Sequence, residues 1–337
     1  MPLRESEIRP VALMNDKRDK LRLDREFLLA REHRFVDVAC PACGHRPSAP
    51  WDSKDGFQFV QCSACSTIYM NPRPNQDLLL EFYRQSLNYA EWNRTIFPAT
   101  EKARMEKIIR PRAARLVDAS RRLGVTGGTV LEIGAAYGTF GLAIEEIGYF
   151  DRYVAVEPTS DLAQTCRNRG FETHECAIEE LNLEDERIDV VAAFEVIEHL
   201  FDPECFVSAA IRIMRPGGLL ILSCPNSDAL GPLTLKACDP TFNHEHLNYF
   251  TPSSLSRLLK GHGLEIEETH TPGQLDVELL ASTLEQSESG GDHGFWRRLF
   301  AQASQDDLDR LQGLIAKVGL SSHMWIIARK PVAGTGQ

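Results

Sequence analysis

The sequence predicts an α/β protein: a doubly wound, mostly parallel sheet of seven strands, preceded by a small cysteine-bound ribbon and a helical connecting segment. Three observations carry this expectation. From residue 129 onward, short apolar runs alternate with helical stretches, the pattern of a parallel sheet with crossover helices. Four cysteines sit as Cys40-x2-Cys43-x18-Cys62-x2-Cys65, the paired-knuckle spacing of a four-thiolate metal site. Between them, residues 76–122 read as helix in pieces, broken at Pro98 and Pro111.

The chain of 337 residues is long enough for about two domains. With 43% apolar and 25% charged residues, it has the composition of a globular protein rather than a collagenous or low-complexity one. No apolar run reaches the ~18 residues of a membrane span. The opening Met1-Pro2-Leu3-Arg4-Glu5-Ser6-Glu7 has early acids and no apolar core, so no secretory leader is expected and the cytoplasm is the expected location.

Residues 1–36 form a helical N-terminal segment, with a helix expected over 12–34. The ribbon follows over 37–75. Pro41 and Gly44 favour the tight turn that a knuckle needs, and Phe57-Gln58-Phe59-Val60-Gln61 alternates as a strand. Four thiolates satisfy the tetrahedral preference of Zn2+ and leave no open position, so the site reads as structural; two redox dithiols are the alternative. The other cysteines, Cys166, Cys176, Cys205, Cys224 and Cys238, lack ligand spacing and read as small buried apolar residues. Residues 76–122 form a linker or lid. Its aromatics Tyr83, Tyr89, Trp92 and Phe97 either cap a substrate pocket or form the core of a helical layer.

The large domain spans 123–332. Strands are expected at 129–133, 153–157, 171–175, 188–194, 219–223, 264–269 and 324–328, with helices near 139–147, 160–169, 203–215 and 252–261. Pro216-Gly217-Gly218 is expected to stop the third helix. Residues 284–320 read as an inserted helical stretch. The result is a Rossmann-like sheet, whose ligands bind at the carboxyl ends of the strands. The first strand–helix turn is Glu132-x-Gly134-x-x-x-Gly138, without the dinucleotide fingerprint. Glu157 ends the second strand, where a carboxylate can accept hydrogen bonds from both ribose hydroxyls. This suits a nucleoside ligand without a bound pyrophosphate.

The stretches VLEIGAAYGTFG, VAVEP, DVVAAFEVIEHLFDP and MRPGGLLILSCPN, in this order, resemble a class I S-adenosylmethionine-dependent methyltransferase over about residues 100–330. The resemblance implies that Gly134 and Gly138 border the methionine part of the cofactor. It further implies that Glu132 supports the amino end, that Glu157 binds the ribose, and that Ala177 and Ile178 flank the adenine. Ala136 departs from it, since many members carry glycine there. The order of ribbon, helical segment and methyltransferase domain also resembles bacterial enzymes of sugar and surface-glycan pathways.

Methyl transfer needs an aligned, desolvated nucleophile and, for a hydroxyl or ammonium, a base. Two clusters offer one: Glu195-Val196-Ile197-Glu198-His199 after the fourth strand, and His244-Glu245-His246 in the loop after Asn226. His246 or His199 is the expected general base. Alternatively, Glu195, Glu198, His199 and His246 hold a divalent metal that polarises the acceptor oxygen, a spacing that resembles the metal site of small-RNA 3′-end 2′-O-methyltransferases. The plain alternative is that Glu198 and His199 only bond neighbouring loops. His323 and the remaining histidines read as structural or surface residues.

Charge helps to choose the acceptor. Residues 1–122 carry 22 Lys/Arg against 16 Asp/Glu, and the remainder 15 against 32. The acidic catalytic half argues against nucleic acid as partner, so an RNA methyltransferase is the alternative rather than the leading reading. The leading reading is a small anionic acceptor, a nucleotide-linked sugar or glycan precursor. The run Lys102, Arg104, Lys107, Arg110, Arg112, Arg115, Arg121 and Arg122 is either a solvated face or a clamp for its phosphates. A non-catalytic cofactor-binding scaffold is the third reading. The oligomeric state is not encoded legibly.

Overall fold

The computed structural model describes residues 3–14, 17–286 and 293–332. Positions 15 and 16 of the expected N-terminal helix and 287–292 of the expected insertion lie outside the described residues. Helices Val11–Met14 and Lys17–Leu29 lead into one short strand pair and the ribbon. Strand β1 (Phe35–Val36) pairs antiparallel with β5 (Arg73–Pro74), and between them lie β2 (Ser48–Lys54), β3 (Phe57–Cys62) and β4 (Ile68–Met70). No described helix is long and apolar enough to cross a membrane.

The large sheet comprises β6 (Thr129–Ile133), β7 (Arg152–Val156), β8 (Glu172–His174), β9 (Ile188–Phe194), β10 (Met214–Pro225), β12 (Glu265–His270) and β13 (His323–Arg329). A further short strand, β11 (Asn248–Tyr249), lies between β10 and β12 in sequence. The sheet order is β12-β13-β10-β9-β6-β7-β8. Strand β13 runs antiparallel to both neighbours, and the other pairs are parallel. The order reverses between β6 and β9, so the carboxyl ends of those strands frame the ligand crevice. These strands are almost wholly buried, as expected of a sheet covered by helices on both faces.

Four expectations need correction. Pro216-Gly217-Gly218 does not end the helix: Pro203–Ile213 stops earlier, and the motif forms a bulge inside β10. A Cβ on Gly218 would lie 2.9 Å from the Arg215 carbonyl, so only glycine lets the bulge close. Pro98 and Pro111 do not break the connecting segment. The chain stays helical from Leu87 to Arg122, because a π-turn precedes each proline-bearing segment (Trp92–Ile96 and Met105–Ile109). Wider turns of this kind absorb the missing proline N–H. The inserted helices begin before 284, with Asp276–Gln286, followed by Gly294–Gln302 and Gln305–Lys317. Of the five unassigned cysteines only Cys166 and Cys224 are buried, while Cys205 and Cys238 are exposed.

The ribbon is not closed on itself. Its sheet has the order β11-β4-β3-β2, so its edge strand comes from the loop that carries His246. Cys40, Cys62 and Tyr69 share one core with β9 and β10, which seats the ribbon directly against the large domain.

Candidate active site

Each cofactor-loop residue is held in a conformation that the sequence dictates. Gly134 has φ +74°, and a Cβ there would lie 2.8 Å from Val196 Cγ2. Gly138, at φ +67°, opens the helix Thr139–Ile147, and a Cβ would meet the Phe171 ring at 2.9 Å. Ala136 adopts φ +48°, a left-handed conformation that glycine enters at lower cost. Glu157 is buried and ties the loop down. Its Oε2 accepts from the Ala136 amide and its Oε1 from the Thr159 amide, both at 2.9 Å. Burial raises its pKa.

Glu132 accepts a hydrogen bond from the buried Tyr153 hydroxyl, and burial pushes its carboxyl up to about 8. Ala177 precedes the turn Ile178–Glu180. Ile178 is packed into the core, leaving Ala177 as the more exposed of the pair. Arg112, which the sequence offered only as one member of the basic run, comes from the connecting helix and stands beside the rim carboxylates instead. Its Cζ stands 4.5 Å from the Phe194 ring centroid. Burial lowers its pKa, opposed by Glu195, Glu132 and Glu198.

At the rim beyond β9, the structure divides the four expected residues. Glu198, His199 and His246 come together, with one ligand atom of each within 4.8 Å of the others. The two imidazole centroids are 4.7 Å apart. His199 Nδ1 faces the Glu245 carbonyl at 2.9 Å, and His246 Nδ1 faces the Thr241 carbonyl at 2.9 Å. A carbonyl only accepts, so both Nδ1 atoms carry the proton and both Nε2 atoms keep a lone pair. Burial lowers His199, and burial together with His199 brings His246 down to about 3. Both carboxylate oxygens of Glu198 are buried without a hydrogen-bond partner among the described residues. Burial and the neighbouring Glu195 raise its carboxyl well above the usual range.

Glu195 does not join this group. Ser223 Oγ donates to its Oε1 at 2.7 Å, and His323 Nε2 lies 3.3 Å from its Oε2. Burial alone would raise Glu195, but the His323 and Arg112 charges outweigh it and hold the carboxyl at about 2. His323, read from sequence as structural or surface, is therefore the partner of a rim carboxylate. Only its position at the start of the last strand could have signalled this, because β13 lies beside β10 and reaches the same rim.

The aromatics roof this site. The Tyr83 hydroxyl donates to the His199 carbonyl at 3.2 Å, and the Tyr89 oxygen is 3.3 Å from His199 Nδ1. Trp92 packs on Phe97, which packs on Tyr137 of the cofactor loop at 5.8 Å. Glu245, half-buried below the roof, accepts from Asn88 Nδ2 at 2.6 Å. Its carboxyl is raised to about 7 by burial. The basic run, by contrast, is no single clamp. Lys107 pairs with Glu7, Arg110 with Glu146, Arg121 with Asp118 and Arg122 with Glu268, while Arg115 lies over Trp325.

The four ribbon cysteines converge. Sγ separations are 3.5 Å (Cys40–Cys65), 3.7 Å (Cys43–Cys62) and 3.4 Å (Cys43–Cys65), and all four sulfurs fall within 4.8 Å. Thiolates about 2.3 Å from a tetrahedral zinc ion would be about 3.8 Å apart, so the set fits such an ion.

Residues 103–269 match the family model described as a methyltransferase domain. The chain carries a class I S-adenosylmethionine-dependent methyltransferase domain. A Mycolicibacterium smegmatis protein named as a probable S-adenosylmethionine-dependent methyltransferase is 40% identical over 90 residues, 27% of this chain and 34% of that protein. The chain thus spans about a third of that relative's length. The ubiquinone biosynthesis O-methyltransferase of Xylella fastidiosa is 27% identical over 168 residues, 46% of this chain and 68% of that one. Among solved structures, an S-adenosylmethionine-dependent methyltransferase from Thermotoga maritima is similar at 22% identity and a TM-score of 0.44, covering 71% of this chain and 97% of that chain.

Proposed function

We propose that the protein transfers the methyl group of S-adenosylmethionine to a small anionic acceptor, a nucleotide-linked sugar or glycan precursor, with His246 as general base. The observation that carries this is the pair of imidazoles at the rim, each with Nδ1 fixed by a backbone carbonyl, beside the cofactor loop and beneath Tyr83 and Tyr89; Glu198 Oε1 stands 3.9 Å from His199 Nε2. The cofactor supplies an electrophilic methyl group when bound. Glu157 accepts from its ribose hydroxyls, Gly134 and Gly138 allow its close approach, and Ala177 with Ile178 borders the adenine. Glu132 and Arg112 face its amino-acid end, where an ammonium would answer the buried carboxyl and a carboxylate the guanidinium. His246 Nε2 would take the acceptor's proton as the acceptor–methyl bond forms and the methyl–sulfur bond breaks, with S-adenosylhomocysteine as the leaving group. Glu195 and His323 close the opposite side of the rim.

The four cysteines hold a structural zinc ion in this reading. A second reading places a divalent cation at Glu198, His199 and His246. What favours it is that one ligand atom from each of Glu198, His199 and His246 converges, with the Glu198 carboxylate unpartnered among the described residues. Such a cation would polarise the acceptor oxygen. Glu195 does not belong to that set.

The test is transfer of labelled methyl groups into a fractionated cell extract, with Glu157→Gln as control. Label in small nucleotide-sugar or glycan fractions supports the acceptor, and label in RNA replaces it. Cofactor binding without transfer to any fraction leads to the scaffold reading. His246→Asn lowers turnover by about 10²-fold or more if the residue is the base. Activity that falls on chelation and returns with Mg2+ or Mn2+, while His246→Asn abolishes that metal dependence, selects the second reading.

A further inference from the structure

The N-terminal segment packs along the connecting helix. Arg104 Nη2 donates to the Ile8 carbonyl at 2.8 Å, and Lys107 pairs with Glu7. This contact brings Arg9 and Lys17 to the part of the helix that carries Arg104. Lys17 Nζ lies 5.0 Å from the Trp92 ring centroid, and Arg104 Cζ lies 5.4 Å from the same centroid and 4.6 Å from that of Phe97. Arg9 is close enough to depress the pKa of both, although burial is the larger cause in each.

Charges withdrawn from water are normally answered by an opposite charge. Along this helix, four cations are answered by acids from elsewhere or nearby: Lys107, Arg110, Arg121 and Arg122. The two at Trp92 differ, and Arg9 adds a third charge near them. Among the described residues Arg104 donates only to neutral oxygens, the Ile8 carbonyl and Thr100 Oγ1. Lys17 has no ion pair among the described residues; Glu245 and Glu5 act on it only through space. Arg9 reaches Glu5 through Nη1 at 3.3 Å, but its Nε is buried without an acceptor. Positive charge therefore accumulates next to the roof of the active site, and Phe97 links it to Tyr137 of the cofactor loop.

We propose that Arg9, Lys17 and Arg104 form an anion subsite beside Trp92 that receives a phosphate or diphosphate group of the methyl acceptor. This deepens the acceptor reading above and rests on it for the bearer of the phosphate. It also gives the N-terminal segment a role, since Arg9 and Lys17 complete the acceptor site. The cofactor's own carboxylate is the other source of an anion.

The probe is inorganic pyrophosphate, titrated calorimetrically into the full chain with and without saturating S-adenosylhomocysteine. Pyrophosphate binds in both cases, and Lys17→Met and Arg9→Met each weaken it by about tenfold, the loss of one charge-assisted contact. Lys17→Arg retains most of the affinity, and Arg121→Met, in an exposed ion pair of the same helix, leaves it unchanged. S-adenosylhomocysteine affinity is the same in all four variants. Circular dichroism and melting temperature confirm that each variant is folded. Absence of pyrophosphate binding, or equal affinity in wild type and Lys17→Met, overturns the subsite. Competition between pyrophosphate and S-adenosylhomocysteine, with cofactor affinity lost in Lys17→Met, assigns the anion to the cofactor and overturns the acceptor assignment. Methyl label found in RNA, with pyrophosphate binding intact, overturns the acceptor reading alone, so the two failures are distinguishable.

Discussion

Ala136 holds φ +48° while its amide donates to Glu157. A residue with a Cβ pays about 1 kcal/mol for that conformation. Ala136→Gly removes the strain but adds unfolded-state entropy, so the net gain is small, about 0.5 kcal/mol, read as a raised urea midpoint with unchanged slope. A loss of stability would mean that the Ala136 methyl packs more than its backbone strains. Glu195 and His323 give a sharper residue-scale prediction. Glu195 raises the pKa of His323, so the folded state binds the imidazole proton more tightly than the unfolded state. The resulting stabilisation is complete below the unfolded histidine pKa and is lost as pH rises through the folded one. The Glu195 carboxyl, held at about 2, contributes above the unfolded carboxylate pKa and loses its contribution as pH falls through the folded value. His323 is half exposed, so water screens the pair and the effect on stability is small. The measurement is an NMR titration: His323 titrates above 6.5 in the wild type and returns toward it in Glu195→Gln. Identical curves would sever the pair.

Between elements, the decisive contact joins the ribbon to the catalytic rim. Arg73 is buried at the ribbon's end and donates to the Met70 carbonyl, the Phe201 carbonyl and Asn248 Oδ1. Asn248 Nδ2 in turn donates to the Ile197 and Leu200 carbonyls. The Leu247 amide donates to the Glu198 carbonyl, and the Met70 amide to the Leu247 carbonyl. One network thus fixes the Glu198–His199 turn, the His246 loop and β4 against each other. The cofactor loop, on β6 and β7, lies outside it. Arg73→Met therefore lowers kcat by at least about tenfold while cofactor affinity stays within about twofold, because misplacement of a positioned base is felt in turnover. Equal losses of both would instead signal general unfolding. The same network explains why the ribbon reads as separate in sequence: its fourth strand is two residues long, too short to carry a period.

Across the whole molecule, legibility follows the range of the interactions. The seven strands and the cofactor turn were readable because buried parallel strands are apolar runs, and because Gly134 and Gly138 mark two of the turn's positive φ positions from within their own segment. The Cys40–Cys65 set was readable because ligand spacing is local. The pairing of Glu195 with His323, the acids that answer Lys107, Arg110 and Arg122, and the docking of the N-terminal segment are long-range. No local pattern encodes such contacts. Asp24 shows how much rests on one of them. It is buried and accepts from Ser86 Oγ at 2.6 Å, the Leu87 amide at 2.8 Å and the Asn88 amide at 3.0 Å. It thereby fastens the N-terminal helix to the start of the helix that carries Tyr89, Trp92 and Arg104. Removing a buried carboxylate strands three donors at once, which costs about 3 kcal/mol if the site relaxes only in part. Asp24→Ala should lower the urea-derived stability by that amount and speed hydrogen exchange at Leu87 and Asn88, with the β6 and β9 amides still protected. Cofactor affinity should persist, since Gly134, Gly138 and Glu157 do not touch this joint, while acceptor turnover falls as the aromatic roof loosens. If exchange rose equally in β6 and β9, the N-terminal segment would be part of one cooperative unit with the sheet rather than a cover fastened at its edge.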